Sequence, residues 1–160
     1  MARRETGEPT SEAQLGACID NLDPTNRRLF RSVRTALRRR FPAANELAYD
    51  YGDAVVISYS PSNNGIDGIL ALRGSTDGVF LYFSQGPQLP DPKKLLQGSA
   101  RTTRFIQLES ASRLKNPDVE ALIMAALGHA KTPFPTRGKG SLILKSSAAK
   151  KKRTPGKPAK

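Results

Sequence analysis

The sequence predicts an α+β domain, a two-layer sandwich with helices packed on an antiparallel sheet, in the order α-α-β-β-β-β-β-α. Three observations predict it. Apolar residues recur at helical spacing near the start and again near residue 120. Between Ala43 and Leu108 the pattern changes to short β-branched and aromatic runs separated by turn residues. Apolar residues make up 38% of the 160-residue chain, enough for one domain to build a core without metal or disulfide staples.

The elements follow in order. Residues 1–10 read as a flexible arm. Ser11 and Gln14 have the spacing of a capping box, and Leu15, Cys18, Ile19 and Leu22 then mark a short helix over about 12–22. Asp23-Pro24 is a helix start, an N-cap acid followed by proline. That helix runs to Arg40 and stops before Pro42, which disfavours helical geometry at Phe41. Strands are expected at Leu47-Ala48-Tyr49, Val55 to Tyr59, Ile69 to Arg73, Val79 to Phe83 and Arg104 to Leu108. The fourth is apolar on both faces, which points to a central position. Asp77-Gly78 predicts a tight turn of the primed type. Residues 88–98 read as a loop with one helical turn, ended by Gly98. Asn116-Pro117-Asp118 opens the last helix, with Val119, Leu122, Ile123, Ala126, Leu127 and Ala130 on one face. The domain is expected to span 11–136. Residues 137–160 are expected to form a basic, largely disordered tail whose loss leaves the fold intact; its one apolar patch, Leu142-Ile143-Leu144, either packs back onto the domain or adds an edge strand.

The net charge of +12 is concentrated in two places. Residues 137–160 hold nine cations and no acid, and residues 27–40 hold seven arginines and no acid. Successive helical residues advance about 100°, so Arg27, Arg31, Arg34 and Arg38 fall within roughly 60° of one another. They form a stripe opposite the apolar face, with no acid along the helix to pair with. Such a stripe attracts phosphates or an acidic partner surface. In the tail, Lys150, Lys151, Lys152 and Arg153 form a run without an aromatic neighbour. It would contact nucleic-acid phosphates but not bases.

Other chemistry is sparse. One Cys and one His exclude a disulfide framework, a Cys-rich zinc site and a His cluster, so no cofactor and no metal are expected. His129 reads as a helix-terminus residue and Cys18 as a packed thiol. There is no G-x-S-x-G elbow. Gly138-Lys139-Gly140-Ser141 lacks the pattern of a phosphate loop. Glu46 with Tyr49, Asp50 and Tyr51 forms a polar cluster at a helix-to-sheet junction. Lys94 and Arg104 flank a loop, around Gly98, of the kind that cradles an anion. The amino terminus lacks the apolar stretch of a secretory signal, and no run reaches the ~18 apolar residues of a membrane span. A cytoplasmic protein without a membrane partner is expected.

Several of these pieces together resemble the YdhG-like bacterial domain-of-unknown-function family. They are Phe41-Pro42 with Glu46 and Tyr49, Leu81-Tyr82-Phe83, Leu89-Pro90-Asp91-Pro92, Leu95 to Ser99, Arg104-Phe105-Ile106 and a final helix ending near Pro133. The resemblance covers about 23–135. It implies a frataxin-like α/β sandwich. One member of the family is regarded as an intracellular iron chaperone, so iron handling is implied by resemblance alone. The acidic helix ridge that such a role needs is replaced here by the arginine stripe. The expectation is therefore a non-enzymatic binding or chaperone-type module. Its anionic or protein ligand would contact the stripe, Glu46, Tyr49, Tyr51, Lys94 and Arg104. The alternative is a sequence-nonspecific nucleic-acid-associated protein using Arg27, Arg31, Arg34, Arg38 and the tail. A third reading is an enzyme using Glu46 and Tyr49 beside a pocket.

Overall fold

The computed structural model describes residues 10–145. Two helices come first, α1 (Ser11–Asp20) and α2 (Pro24–Arg40), and α3 (Pro117–His129) comes late. Capping decides where each begins. Thr10 is the N-cap of α1, its hydroxyl accepting from Ala13 N at 3.0 Å, so the Ser11–Gln14 capping box does not form. Asp23 caps α2 and Asn116 caps α3, each followed by proline as expected. Phe41 leaves helical geometry at φ −125°, as its neighbour Pro42 requires.

The sheet has six strands: β1 (Asn45–Asp50), β2 (Ala54–Ser60), β3 (Leu70–Ser75), β4 (Gly78–Phe83), β5 (Arg104–Leu108) and β6 (Leu142–Leu144). Its order is β5-β4-β3-β2-β1-β6. The first five strands form an antiparallel meander, and β6 pairs parallel with β1. The α+β content expected from the sequence is present, but the sheet is not purely antiparallel and has one strand more. The domain boundary expected at residue 136 moves with it, since β6 lies beyond that point. Gly140 N donates to Pro42 O at 2.8 Å, Glu46 N to Ser141 O and Lys145 N to Ala48 O, both at 2.9 Å. A side chain at Gly140 would place its Cβ 1.7 Å from Ala44 O, so only glycine lets the returning chain lie this close to β1.

Two further expectations change. The β3–β4 loop is Thr76-Asp77, because Ser75 pairs with Gly78. Lys94 is the one non-glycine residue with positive φ among those described, so this is not a primed turn, and Gly78 takes φ 134° just after it. The helical turn expected within 88–98 lies earlier, as a 3-10 turn at Gly86–Gln88.

Strand alternation sorts the side chains into two faces. On one face Ile57, Tyr59, Leu70, Leu72, Leu81, Phe83 and Ile106 are fully buried beneath the helices. Phe30, Val33 and Leu37 of α2 and Val119 and Ile123 of α3 complete this core. Each such residue contributes about 1.5–3 kcal/mol of hydrophobic stabilisation. Gly74 on this face leaves room for the Phe30 ring, which would lie 2.6 Å from a Cβ there. The opposite face has no helix on it. Its β1–β2 half is covered by the loop between β2 and β3, with Gly65 against the Tyr49 hydroxyl and Gly68 against the Ser58 hydroxyl. That cover explains the full burial of Leu47 away from the core. β4 is internal but adjoins the edge strand, and its outward Phe80 and Tyr82 face the uncovered half. Among the described residues no helix is long and apolar enough to cross a membrane.

Candidate functional site

The arginine stripe is not an unpaired face. Its acids come from α1 and β1, where the helical wheel does not show them. Arg31 Nη2 meets Asp20 Oδ1 at 2.7 Å, and Arg27 Nη1 donates to the Asp20 carbonyl at 3.2 Å. Arg34 is held on both sides. Its Nε and Nη2 donate to Glu46 Oε2 and Oε1 at 3.0 and 2.8 Å, and its Nη1 and Nη2 donate to Glu12 at 3.0 and 2.8 Å. Arg38 reaches Glu12 and Glu46 at longer range, 3.5 and 3.6 Å. The stripe is therefore the seam along which α2 meets α1 and β1. It does not stand ready for a polyanion, which corrects the expectation drawn from α2 alone.

Glu46 is the buried end of this seam, with only 6% of its side chain exposed, against 11% for Arg34. Direct cross-strand pairing with Tyr59 brings the Tyr59 hydroxyl to Glu46 Oε2 at 2.9 Å. Burial, followed by the neighbouring Glu46 carboxylate, pushes the Tyr59 hydroxyl well above its ordinary range, so it stays a proton donor. Burial works against the charge of Arg34. The hydrogen bonds it donates to Glu46 and Glu12 outweigh that, and the guanidinium holds its proton more firmly than usual. Glu46 thus accepts from three donors on its two oxygens.

A cavity of about 360 Å³ opens beside this pair, between the end of α2, β1 and the segment leading into β6. Glu46 and Tyr59 lie at its floor. Arg38, Arg39 and Lys139 border it, with Thr35, Phe41 and Ser141. Among the described residues Arg39 and Lys139 have no ion pair. Arg38, Arg39, Lys139 and Glu46 line the cavity and Arg34 adjoins it through Glu46, so cations predominate. The backbone amides of Gly140 and Ser141 are taken by Pro42 O and Asn45 Oδ1, so any anion here would be held by side chains. Arg39, Lys139 and Tyr59 were not legible as a set. Only the register of β1 with β2 and the return of the chain to β6 bring them together.

The other expected site residues do not join this cavity. Tyr49 and Tyr51 point to the opposite face of β1 from Glu46 and stack on each other at 6.1 Å. Burial, then proximity to Tyr49, raises the Tyr51 hydroxyl. The pairing of Glu46 with Tyr49 needed for an enzyme reading is therefore absent, because residues three apart on a strand face opposite ways. Arg104 lies four strands from Glu46, roughly 19 Å at about 4.8 Å per strand. Its Nη1 donates to the carbonyls of Ala100 and Thr103. The loop expected to cradle an anion already contains one. The Asp91 carboxylate accepts from Leu95 N and Leu96 N at 2.8 and 2.9 Å, while Lys94 takes φ 56° and points outward, exposed. Lys150, Lys151, Lys152 and Arg153 lie outside the described residues. His129 is exposed in the last turn of α3, and Cys18 is partly buried against the core. Among the described residues no group of three or more His, Cys, Asp or Glu side chains is placed to hold a metal ion.

Comparison of the chain with protein-family models, with curated proteins and with solved structures finds no match.

Proposed function

We propose that this protein is a non-enzymatic binding module, of the YdhG-like kind its motifs resemble, and that its ligand is a small anion. The single observation that carries this reading is the convergence of Arg38, Arg39 and Lys139 on one 360 Å³ cavity whose own acid, Glu46, is already neutralised by Arg34. A carboxylate or phosphate entering there meets guanidinium groups suited to bidentate contact. The cavity is large enough for a metabolite-sized molecule. Glu46 and Tyr59 give it a fixed polar floor. Among the described residues no nucleophile paired with a base lines it, which favours binding over catalysis. Iron handling is implied by resemblance only, and the cationic rim runs against it.

The test is isothermal titration of the full chain with citrate, inorganic phosphate and pyrophosphate. Saturable binding of at least one of them is expected. The double variant Arg39→Ala/Lys139→Ala should weaken it at least tenfold without lowering the melting temperature. No saturable heat at millimolar anion, or equal binding by the double variant, would overturn the reading.

A further inference from the structure

The uncovered half of the outer sheet face carries side chains that neither the core nor the cavity uses. Outward positions on a one-sided antiparallel sheet are ordinarily polar. Here Phe80, Tyr82 and Phe105 stand together and partly exposed. The register sets Tyr82 directly opposite Phe105, and Phe80 between Arg73 and Gln107. The Phe105 ring lies 5.0 Å from Tyr82 and 5.6 Å edge-on to Phe80. On the other half of the face the β2–β3 loop closes over Tyr49 and Ser58, so the aromatic group has an open floor beside a raised wall.

Cations outnumber acids beside this group, where Asp91 and Glu109 flank a basic segment. From Pro92 to Leu108 there are four cations and no acid. Lys93, Lys94 and Arg101 among them are exposed, along the segment that runs beside the edge strand β5. Arg73, next to Phe80, has no ion pair among the described residues and donates only to Ser75 Oγ, at 3.2 Å. Aromatic rings bordered by unpaired cations are complementary to unstacked bases on a phosphate chain. A duplex does not fit, since its bases are already stacked on one another. An apolar protein partner would make no use of the cationic border.

We propose that the open face of β3, β4 and β5 binds single-stranded RNA or DNA without sequence preference, stacking bases on Phe80, Tyr82 and Phe105 while Arg73, Lys93, Lys94 and Arg101 attract the phosphates. The surface is separate from the anion cavity, so each stands or falls alone. It also supplies what the Lys-rich tail lacks, a stacking platform.

The experiment uses the full chain and fluorescein-labelled oligo-dT, oligo-rU and a duplex, each of about twelve nucleotides, read by anisotropy at about 50 mM salt. Single strands should bind at least tenfold more tightly than the duplex. Phe80→Leu and Tyr82→Leu, checked for folding by circular dichroism, should each weaken single-strand binding about tenfold. The chain has no Trp, so its emission comes from its four tyrosines. Bound oligo-dT should quench part of that emission, and Tyr82→Phe should remove much of the quench while binding persists. This keeps the test decisive even if a leucine variant fails to fold. Equal affinity for duplex and single strand, leucine variants that bind as the parent does, or a quench unchanged by Tyr82→Phe would each overturn the proposal. So would occupation of this face by a protein partner in place of the oligonucleotide.

Discussion

Replacing Glu46 with alanine tests whether the arginine seam is structural. The change removes the acceptor of three donors: Arg34 Nε, Arg34 Nη2 and the Tyr59 hydroxyl. Breaking a buried ion pair from one side costs about 3–5 kcal/mol, because the remaining charge stays buried. Two features push toward the lower end. Glu12 still holds Arg34 through two hydrogen bonds, and the adjoining cavity lets water reach the Tyr59 hydroxyl. A loss of about 3 kcal/mol is expected. Asp20→Asn provides the contrast. Its partner Arg31 is 48% exposed and Asp20 is 59% exposed, so that exchange should cost less than about 1 kcal/mol. Tyr59→Phe should fall between, near 1 kcal/mol, as it removes one hydrogen bond and leaves the charges paired. The assay is urea unfolding followed by far-ultraviolet circular dichroism, accepting only variants whose denaturant slope is unchanged. A Glu46→Ala loss below about 1 kcal/mol, or one no larger than that of Asp20→Asn, would refute the structural role.

Three further outcomes are expected. The Glu12 carboxyl lies below the usual carboxylate range, because Arg34 hydrogen-bonds its charged form; burial opposes this, and attraction to Arg34 and Arg38 adds to it. As pH falls below about 4.5 the unfolded chain takes up that proton first. The stabilisation is therefore present above that pH and lost as pH drops through the depressed folded value. Melting temperature against pH should show a shallower acid-side fall in Glu12→Gln. For β6, a chain ending at Thr136 should melt lower than one ending at Lys145, since it loses the pairing with β1 and the packing of Leu142 and Leu144. Gly140→Ala should reproduce part of that loss, about 1–3 kcal/mol, because its Cβ meets Ala44 O.

The sequence by itself determined the local elements wherever a short-range signal exists. Asp23-Pro24, Phe41-Pro42 and Asn116-Pro117 mark helix ends that the structure places at those residues, because capping and proline sterics act within one turn. The five meander strands were legible for the same reason, as runs of β-branched and aromatic residues between turn signals. Tertiary structure alone decided what those elements do to one another. Arg34 carries no mark showing that Glu12, twenty-two positions earlier, and Glu46, twelve positions later, neutralise it. Three residues, Leu142 to Leu144, are too few to reveal a parallel partner at β1, and that pairing builds one wall of the cavity. Nor did the doubly apolar β4 reveal which of its faces is open. Burial of Leu81 and partial exposure of Phe80 and Tyr82 depend on where the helices lie and which half of the sheet the β2–β3 loop covers. Charge and aromaticity are properties of residues, but whether they are spent within the fold or left for a ligand depends on which long-range neighbours arrive beside them.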